Sequence, residues 1–315
     1  MLKKNPQLKG ALLLLLAALF WGTTFVAQSA GMESVQAFTF TGIRSLIGAA
    51  ALLLLIVIRD AVKGRRGETT PLAERRQANR KVARAGFFIG LALCAASNLQ
   101  QFAFNYTSAG KIAFITALYM FFVPVFGLLL GKRIPGAMWI CVLFGFVGLY
   151  FLSVDPAAPL SLNFGDLLAF ACAVMYAVHI LMIERFAPDV DVIKLSFVQF
   201  LTCGTISCIL MMIFEAPTVT AIFSAVPHML YAGVMSCAVA FTLQIIGQKY
   251  AEATVASLIM CTESVIGAVS AAILLGERLL SREAFGCALM FAAIVLSQFA
   301  DAISTHLKMK RKKRA

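Results

Sequence analysis

Charge is scarce in this chain. Asp, Glu, Lys and Arg make up 13% of its 315 residues, whereas 61% are hydrophobic. A soluble domain carries about 25% charged and about 45–50% apolar residues. One core cannot bury such an excess, so lipid must be the solvent for much of the chain. Histidine is scarcer still. The three present (His179, His228 and His306) lie far apart and lack metal-ligand spacing. The eight cysteines (Cys94, Cys141, Cys172, Cys203, Cys208, Cys237, Cys261 and Cys287) all fall inside apolar runs, where they act as small hydrophobes. No pair has the C-x-x-C spacing of a metal or redox site, and no disulfide framework is expected. A G-x-x-x-x-G-K-[ST] segment is missing too, so the chain does not hydrolyse ATP by itself. No cofactor, metal or catalytic constellation is expected.

The charge that is present is lopsided, at +12. Nucleic acid is not the partner this implies, because the basic residues sit between apolar runs and at the termini rather than along one face. A spanning helix needs roughly 20 mostly apolar residues. Ten runs qualify: 8–28, 34–58, 85–106, 109–130, 136–153, 165–185, 194–214, 227–249, 253–275 and 283–303. The first has the basic flank and leucine run of a secretory signal, but its apolar run is long and it has a counterpart later in the chain, so a retained helix is expected. Connections are short except for a basic loop from Arg59 to Arg84. Pro124 is the one proline well inside a span and should kink it. If the N-terminus is inside, all but four of the 27 Lys and Arg are cytoplasmic; the exceptions are Lys111, Arg278, Arg282 and the span-internal Arg44. The positive-inside rule therefore places both termini in the cytoplasm. The tail from Lys308 to Arg314 reads as an anchor that also touches anionic lipid.

The chain also repeats itself. Leu99-Gln100, Tyr106 and Ala109 match Leu243-Gln244, Tyr250 and Ala253 in order; after one extra residue, Gly131-Lys132-Arg133 matches Gly276-Glu277-Arg278. Gly10-Ala11-Leu12-Leu13 tracks Gly165-Asp166-Leu167-Leu168. The expected units are 1–155, 156–305 and a basic tail, 306–315. Five spans per half is an odd number, so the second half enters the membrane upside down. Such inverted repeats hold a substrate near the midplane and give alternating access by rocking.

Polar groups in the membrane core are costly and usually face the bundle interior. Arg44 lies about 15 Å into the second span, at 1.5 Å per residue, and its repeat mate is Gln199. Glu263 lies mid-way along the ninth span and His179 in the inner half of the sixth. Arg44 could attract a substrate carboxylate, and Glu263 could bind an amine or carry a proton; equally, the two could simply pair with each other. His179 is expected as a hydrogen-bonded packing residue more than a ligand contact. A second polar set comprises Trp21, Thr23, Thr24, Gln28, Asn98, Gln100, Gln101, Tyr119, Tyr176 and Gln244. Asn98 and Gln101 share one helix face, as do Thr24 and Gln28. Aromatic walls with a few placed polar groups build small-molecule pockets, although interhelical hydrogen bonding would use the same residues. The candidate cavity is therefore Trp21, Thr24, Gln28, Arg44, Asn98, Gln101, Tyr119, Tyr176, His179, Gln199, Gln244 and Glu263.

Phe20-Trp21-Gly22, Arg44, Tyr106-Thr107-Ser108-Ala109 and the closing Gly276-Glu277-Arg278, set in a five-plus-five architecture, resemble the EamA family of the drug/metabolite transporter superfamily over nearly the whole chain. The resemblance implies a ten-helix inner-membrane exporter of small organic metabolites, often amino acids or related compounds. It also implies a cavity between spans one, three, four, six, eight and nine. Lys132 stands where the family often has Glu, and Tyr176 where a Trp is common.

Three readings compete. The first is an all-α secondary transporter that exports a small polar or amphipathic solute across the plasma membrane, with the bilayer and the solute as partners and protons as a candidate coupling ion. The second is a passive facilitator or channel on the same fold. The third, an intramembrane enzyme, needs convergent catalytic groups, of which the sequence supplies few. Substrate identity and oligomeric state are not encoded in any motif.

Overall fold

Lipid offers the backbone no hydrogen-bond partner, so each apolar run must satisfy its own N–H and C=O groups, and a helix does so. The computed structural model describes residues 6–66, 71–107, 109–153, 163–267, 281–297 and 299. Among these there are helices and no strands. In chain order they are α1 (Pro6–Met32), α2 (Ala37–Arg65), α3 (Leu72–Ala103), α4 (Ala109–Thr116), α5 (Tyr119–Leu129), α6 (Gly136–Ser153), α7 (Phe164–Phe186), α8 (Val192–Phe214), α9 (Val219–Tyr231), a π-helix (Ala232–Ala240), α10 (Phe241–Gln248), α11 (Ala253–Met260) and α12 (Ser281–Ser297). Among the described residues seven stretches are long and apolar enough to cross a membrane: α1, α2, α3, Lys111–Leu129, α7, α8 and Val219–Gln248. Gly136–Phe151 and Ala253–Gly267 are shorter apolar helices. The far ends of the runs 253–275 and 283–303, the Gly276-Glu277-Arg278 motif and the basic tail lie outside the described residues.

Several expectations need correction. The Arg59–Arg84 stretch is not a simple loop: α2 continues to Arg65 and α3 begins at Leu72. Hydropathy falls away there, but Ala, Arg, Glu and Gln are good helix formers. The helix holding the eighth run starts at Val219, so Pro227 also lies inside a helix. The fourth run is also interrupted at Ala117–Leu118, where no proline stands; Pro124, the expected kink, lies inside α5.

Helix starts follow from local chemistry. Asn163 and Asp166 form a reciprocal capping box at α7, and Asp191 accepts from the amides of Ile193 and Lys194 to start α8. Such caps satisfy amide groups that no intrahelical carbonyl can reach.

The duplication is visible in the packing. Gly10 of α1 lies against Tyr250 and Gly247, with an added Cβ 2.8 Å from Tyr250 Cβ and 3.1 Å from the Gly247 carbonyl. Gly165 of α7 meets Tyr106 Cβ and the Ala103 carbonyl at the same 2.8 and 3.1 Å. Exchanging the halves turns one contact into the other. Gly90 likewise abuts the Gln199 carbonyl and Thr202, as Gly233 abuts the Arg44 carbonyl and Ile47. Arg44 and Gln199 are thus equivalent positions. Where equivalent residues meet each other they mark the pseudo-two-fold axis: the Cys261 thiol donates to the Ala117 carbonyl at 3.5 Å.

Candidate functional site

Both helices at this axis break at the same place. Beyond Ala117 the Met120 amide bonds the Ala117 carbonyl, and beyond Cys261 the Ser264 amide bonds the Cys261 carbonyl. These are i→i−3 bonds, the tighter winding that often marks a functional hinge. Thr116 and Tyr119 flank the first break, Met260 and Glu263 the second, and all four line one cavity.

Both halves build the cavity wall. From the first come Trp21, Phe25 and Gln28 of α1, Arg44 and Ser45 of α2, and Ser97 and Gln100 of α3. The second supplies Tyr176 and Ile180 of α7, Phe200 of α8, Ser236 and Cys237 of the π-helix, Phe241 and Gln244 of α10, and the Glu263 region. The wall therefore includes the second and seventh runs, which the resemblance did not place there. Of the twelve candidate residues, Trp21, Gln28, Arg44, Tyr119, Tyr176, Gln244 and Glu263 come together around the cavity.

Arg44 and Glu263 do not pair with each other. Arg44 is 5% exposed; its Nη1 donates to Gln28 Oε1 at 2.8 Å and its guanidinium lies 5.5 Å from the Phe40 ring centre. Glu263 is 6% exposed and accepts from the Tyr119 hydroxyl at 3.4 Å. The cavity thus holds a guanidinium and a carboxyl that are separately supported. A polar chain runs along another wall: the Tyr176 hydroxyl donates to Gln100 Oε1, and Gln100 Nε2 donates to Thr116. Aromatic edges fill the rest, with Trp21 against Phe241 at 4.9 Å and Tyr119 against Tyr176 at 6.5 Å. Trp21 Nε1 and Gln244 Oε1 are buried without a partner among the described residues.

Five candidates lie away from the cavity. Thr24 folds back on its own helix and donates to the Phe20 carbonyl at 2.6 Å. Asn98 bonds the Cys94 carbonyl and Ser207, which puts its face against α8. Gln101 shares that face and is fully buried. His179 and Gln199 bond each other at 3.2 Å in the packed interior, as a packing histidine does. The neighbouring face of α3, Ser97 and Gln100, is the one that faces the solute space. Gln100 carried a signal, since it matches Gln244 across the repeat and both line the cavity. Ser97 then follows at three residues' spacing.

Among the described residues no cluster of His, Cys, Asp and Glu could hold a metal ion.

Comparison with known proteins agrees with this architecture. One solved crystal structure superposes with a TM-score of 0.71 at 21% identity, covering 95% of this chain and 98% of that one. A protein of Archaeoglobus fulgidus named an uncharacterized transporter is 26% identical over 288 residues, covering 90% of this chain and 83% of that protein. The uncharacterized transporter YoaV of Bacillus subtilis is 21% identical, covering 89% of this chain and 94% of its own length. The profile of the EamA-like transporter family matches twice, over residues 8–154 and 163–299. The chain is a multi-pass membrane protein and a duplicated member of the EamA-like transporter family.

Proposed function

We propose that this protein is a secondary transporter that exports small organic metabolites, amino-acid-like or otherwise polar and amphipathic, across the plasma membrane of a bacterial-type cell. Ten spans form two inverted five-helix repeats, residues 1–155 and 156–305, with both termini in the cytoplasm. The halves rock about the cavity to open it to each side in turn. The observation that carries this reading is the single cavity to which both halves contribute, with Arg44, Glu263 and aromatic walls around it. Arg44 orients an anionic group of the solute. Glu263, held by Tyr119, takes the cationic group or a coupling proton.

The test compares the metabolites outside cells that express the wild type with those outside cells that express an Arg44→Ala/Glu263→Ala variant at equal membrane levels. One chemical class should accumulate outside only with the wild type; identical profiles in cells shown to make candidate solutes would overturn export. Coupling is tested separately by Glu263→Gln, which should transport without responding to a pH gradient. If that variant keeps full gradient dependence, Glu263 is not the coupling group. Saturable counterflow of the exported solute separates a carrier from a passive channel.

A further inference from the structure

The two halves are not equivalent at the cavity, and one of the differences is a single inserted residue. Gly233 stands 143 residues after Gly90, its packing equivalent, whereas Tyr250 stands 144 after Tyr106. Between these landmarks the second half has gained a residue. The π-helix Ala232–Ala240 lies there and absorbs it: the Phe241 amide reaches back five residues to the Ser236 carbonyl. One inserted residue turns a helix by about 100° relative to its continuation. π-Bulges often occur at functional sites for this reason.

The extra residue acts where the cavity is charged. Gly233 packs on the Arg44 turn of α2, with an added Cβ only 2.7 Å from the Arg44 carbonyl. Gly48, one turn along α2, sits under Cys237, with an added Cβ 2.5 Å from Cys237 Cβ. The π-helix and the Arg44 turn are therefore in direct backbone contact, and Ser236 and Cys237 share a wall with Arg44 and Ser45. Ser236 is 4% exposed and lines the cavity. Arg44 Nε is buried without a hydrogen-bond partner among the described residues. A guanidinium and a hydroxyl that line one cavity can serve as a donor pair for an anionic oxygen group, which accepts charge-assisted hydrogen bonds.

We propose that the π-helix is the specificity-determining element of the cavity, and that it presents Ser236 as a second donor beside Arg44 for a carboxylate-type anionic group of the solute. This rests on the transport reading for its biological meaning, but its chemistry can be tested without knowing the solute. Of the eight cysteines, Cys237 alone lines the cavity, so it reports the local charge preference. The purified full-length protein is treated with 2-sulfonatoethyl methanethiosulfonate, an anion, or 2-aminoethyl methanethiosulfonate, a cation. In each case the Cys237 thiolate attacks the reagent's sulfenyl sulfur, forming a mixed disulfide and expelling methanesulfinate. Labelling at Cys237 is read by mass spectrometry of its peptide, with Cys237→Ala as the blank, and the anion-to-cation rate ratio is normalised to that of free cysteine.

The wild type should favour the anion by roughly tenfold, a charge-assisted preference of that order. Arg44→Gln should abolish the preference. Ser236→Ala should reduce it roughly threefold to fivefold, and Ser236→Thr, which keeps the hydroxyl and the fold, should retain it. No labelling at Cys237, no anion preference in the wild type, or a preference that Ser236→Ala leaves intact while Arg44→Gln removes it would each overturn the proposal. Failure here is distinct from failure of the transport reading. Export of a metabolite class by a protein whose Cys237 shows no charge preference leaves transport standing and removes the subsite. A Ser236-dependent preference without any exported class does the reverse.

Discussion

Two carboxylates show how single residues tie the halves together at opposite ends of the α2–α8 pair. At one end Glu215, just past α8, accepts from the Phe38 and Thr39 amides at 2.8 Å each and from the Thr39 hydroxyl at 2.6 Å. It thereby caps α2, where the helix dipole favours an anion. At the other end Asp191 caps α8 and pairs with Arg59 at 2.8 Å, while Asp60 draws in Arg75 and Lys194 at 3.7 Å each. Burial alone would push the Asp191 carboxyl up, but the Arg59 hydrogen bond, the Lys194 amide and the charges of Arg59 and Lys194 outweigh it and hold it below the ordinary range. A carboxylate with a lowered folded value contributes stability above its unfolded value, near pH 3.9, and loses it as pH falls through the folded value. Asp191→Ala should therefore lower the thermal unfolding midpoint at pH 7 by a few degrees, for about 1 kcal/mol of lost cap. That difference should shrink as the pH is lowered from about 5 to below 4. Unfolding scans of wild type and variant in detergent across that range check it; a gap that persists unchanged at low pH would show that the charge is irrelevant. Glu215→Ala should cost a similar amount at pH 7, about 1–2 kcal/mol, because it strands two helix-start amides.

At the scale of elements, the equivalence of the halves makes a paired prediction. Gly10 and Gly165 each let one helix approach another to the same two distances, so side chains introduced there should do comparable harm. Gly10→Leu and Gly165→Leu should each destabilise by about 1–3 kcal/mol through overpacking. Gly64→Leu, where nothing lies within 4 Å of an added Cβ, should stay within roughly 0.5 kcal/mol. Thermal unfolding of the three variants is the measurement, and a large gap between the first two would contradict the equivalence. The same scale shows what the sequence could and could not reveal. Apolar runs located the seven membrane-length helices among the described residues, because a lipid solvent permits little else. They mislocated the ends of α2 and α3, since hydropathy stops at Arg59 and resumes at Arg84 while helix propensity continues outside the lipid. The break at Ala117–Leu118 carries no proline and so no sequence signal; it meets the equivalent break at Cys261 across the pseudo-axis. The π-helix is invisible to periodicity, because one residue alters no composition. It emerges only when glycine contacts reveal the change of repeat offset. The cavity was half legible for a related reason: Trp21, Arg44, Tyr119 and Glu263 stand out as costly groups in lipid. Choosing between Gln100 and Gln101 needs the rotation of α3, which only packing fixes.

For the whole molecule, charge predicts how the halves sit across the membrane. The projecting ends of α2 and α3 carry Lys63, Arg65, Arg66, Arg75, Arg76, Arg80, Lys81 and Arg84. Near the same end lie Lys9 beside Tyr250, Lys132 paired with Glu184, and Lys194. The opposite end has Glu33, Glu215 and the Lys111–Asp166 pair at 2.6 Å. Positive charge near span ends resists translocation, so the basic end should be cytoplasmic. Because α1 starts at the basic end and α7 at the other, the inverted-repeat reading puts Ser34 and Pro217 on one side of the membrane and Gly131 and Ala187 on the other. Reporter fusions test both points at once. An alkaline phosphatase, active only outside, should be active when fused after Ser34 or Pro217 and inactive after Gly131 or Ala187. A green fluorescent reporter at the same four sites should give the opposite pattern, and one after Ala315 should fluoresce. If phosphatase were active after Gly131 and Ala187, the molecule would sit the other way up. If Ser34 and Pro217 fell on different sides, the two halves would not be inverted repeats, and alternating access by their exchange would lose its structural basis.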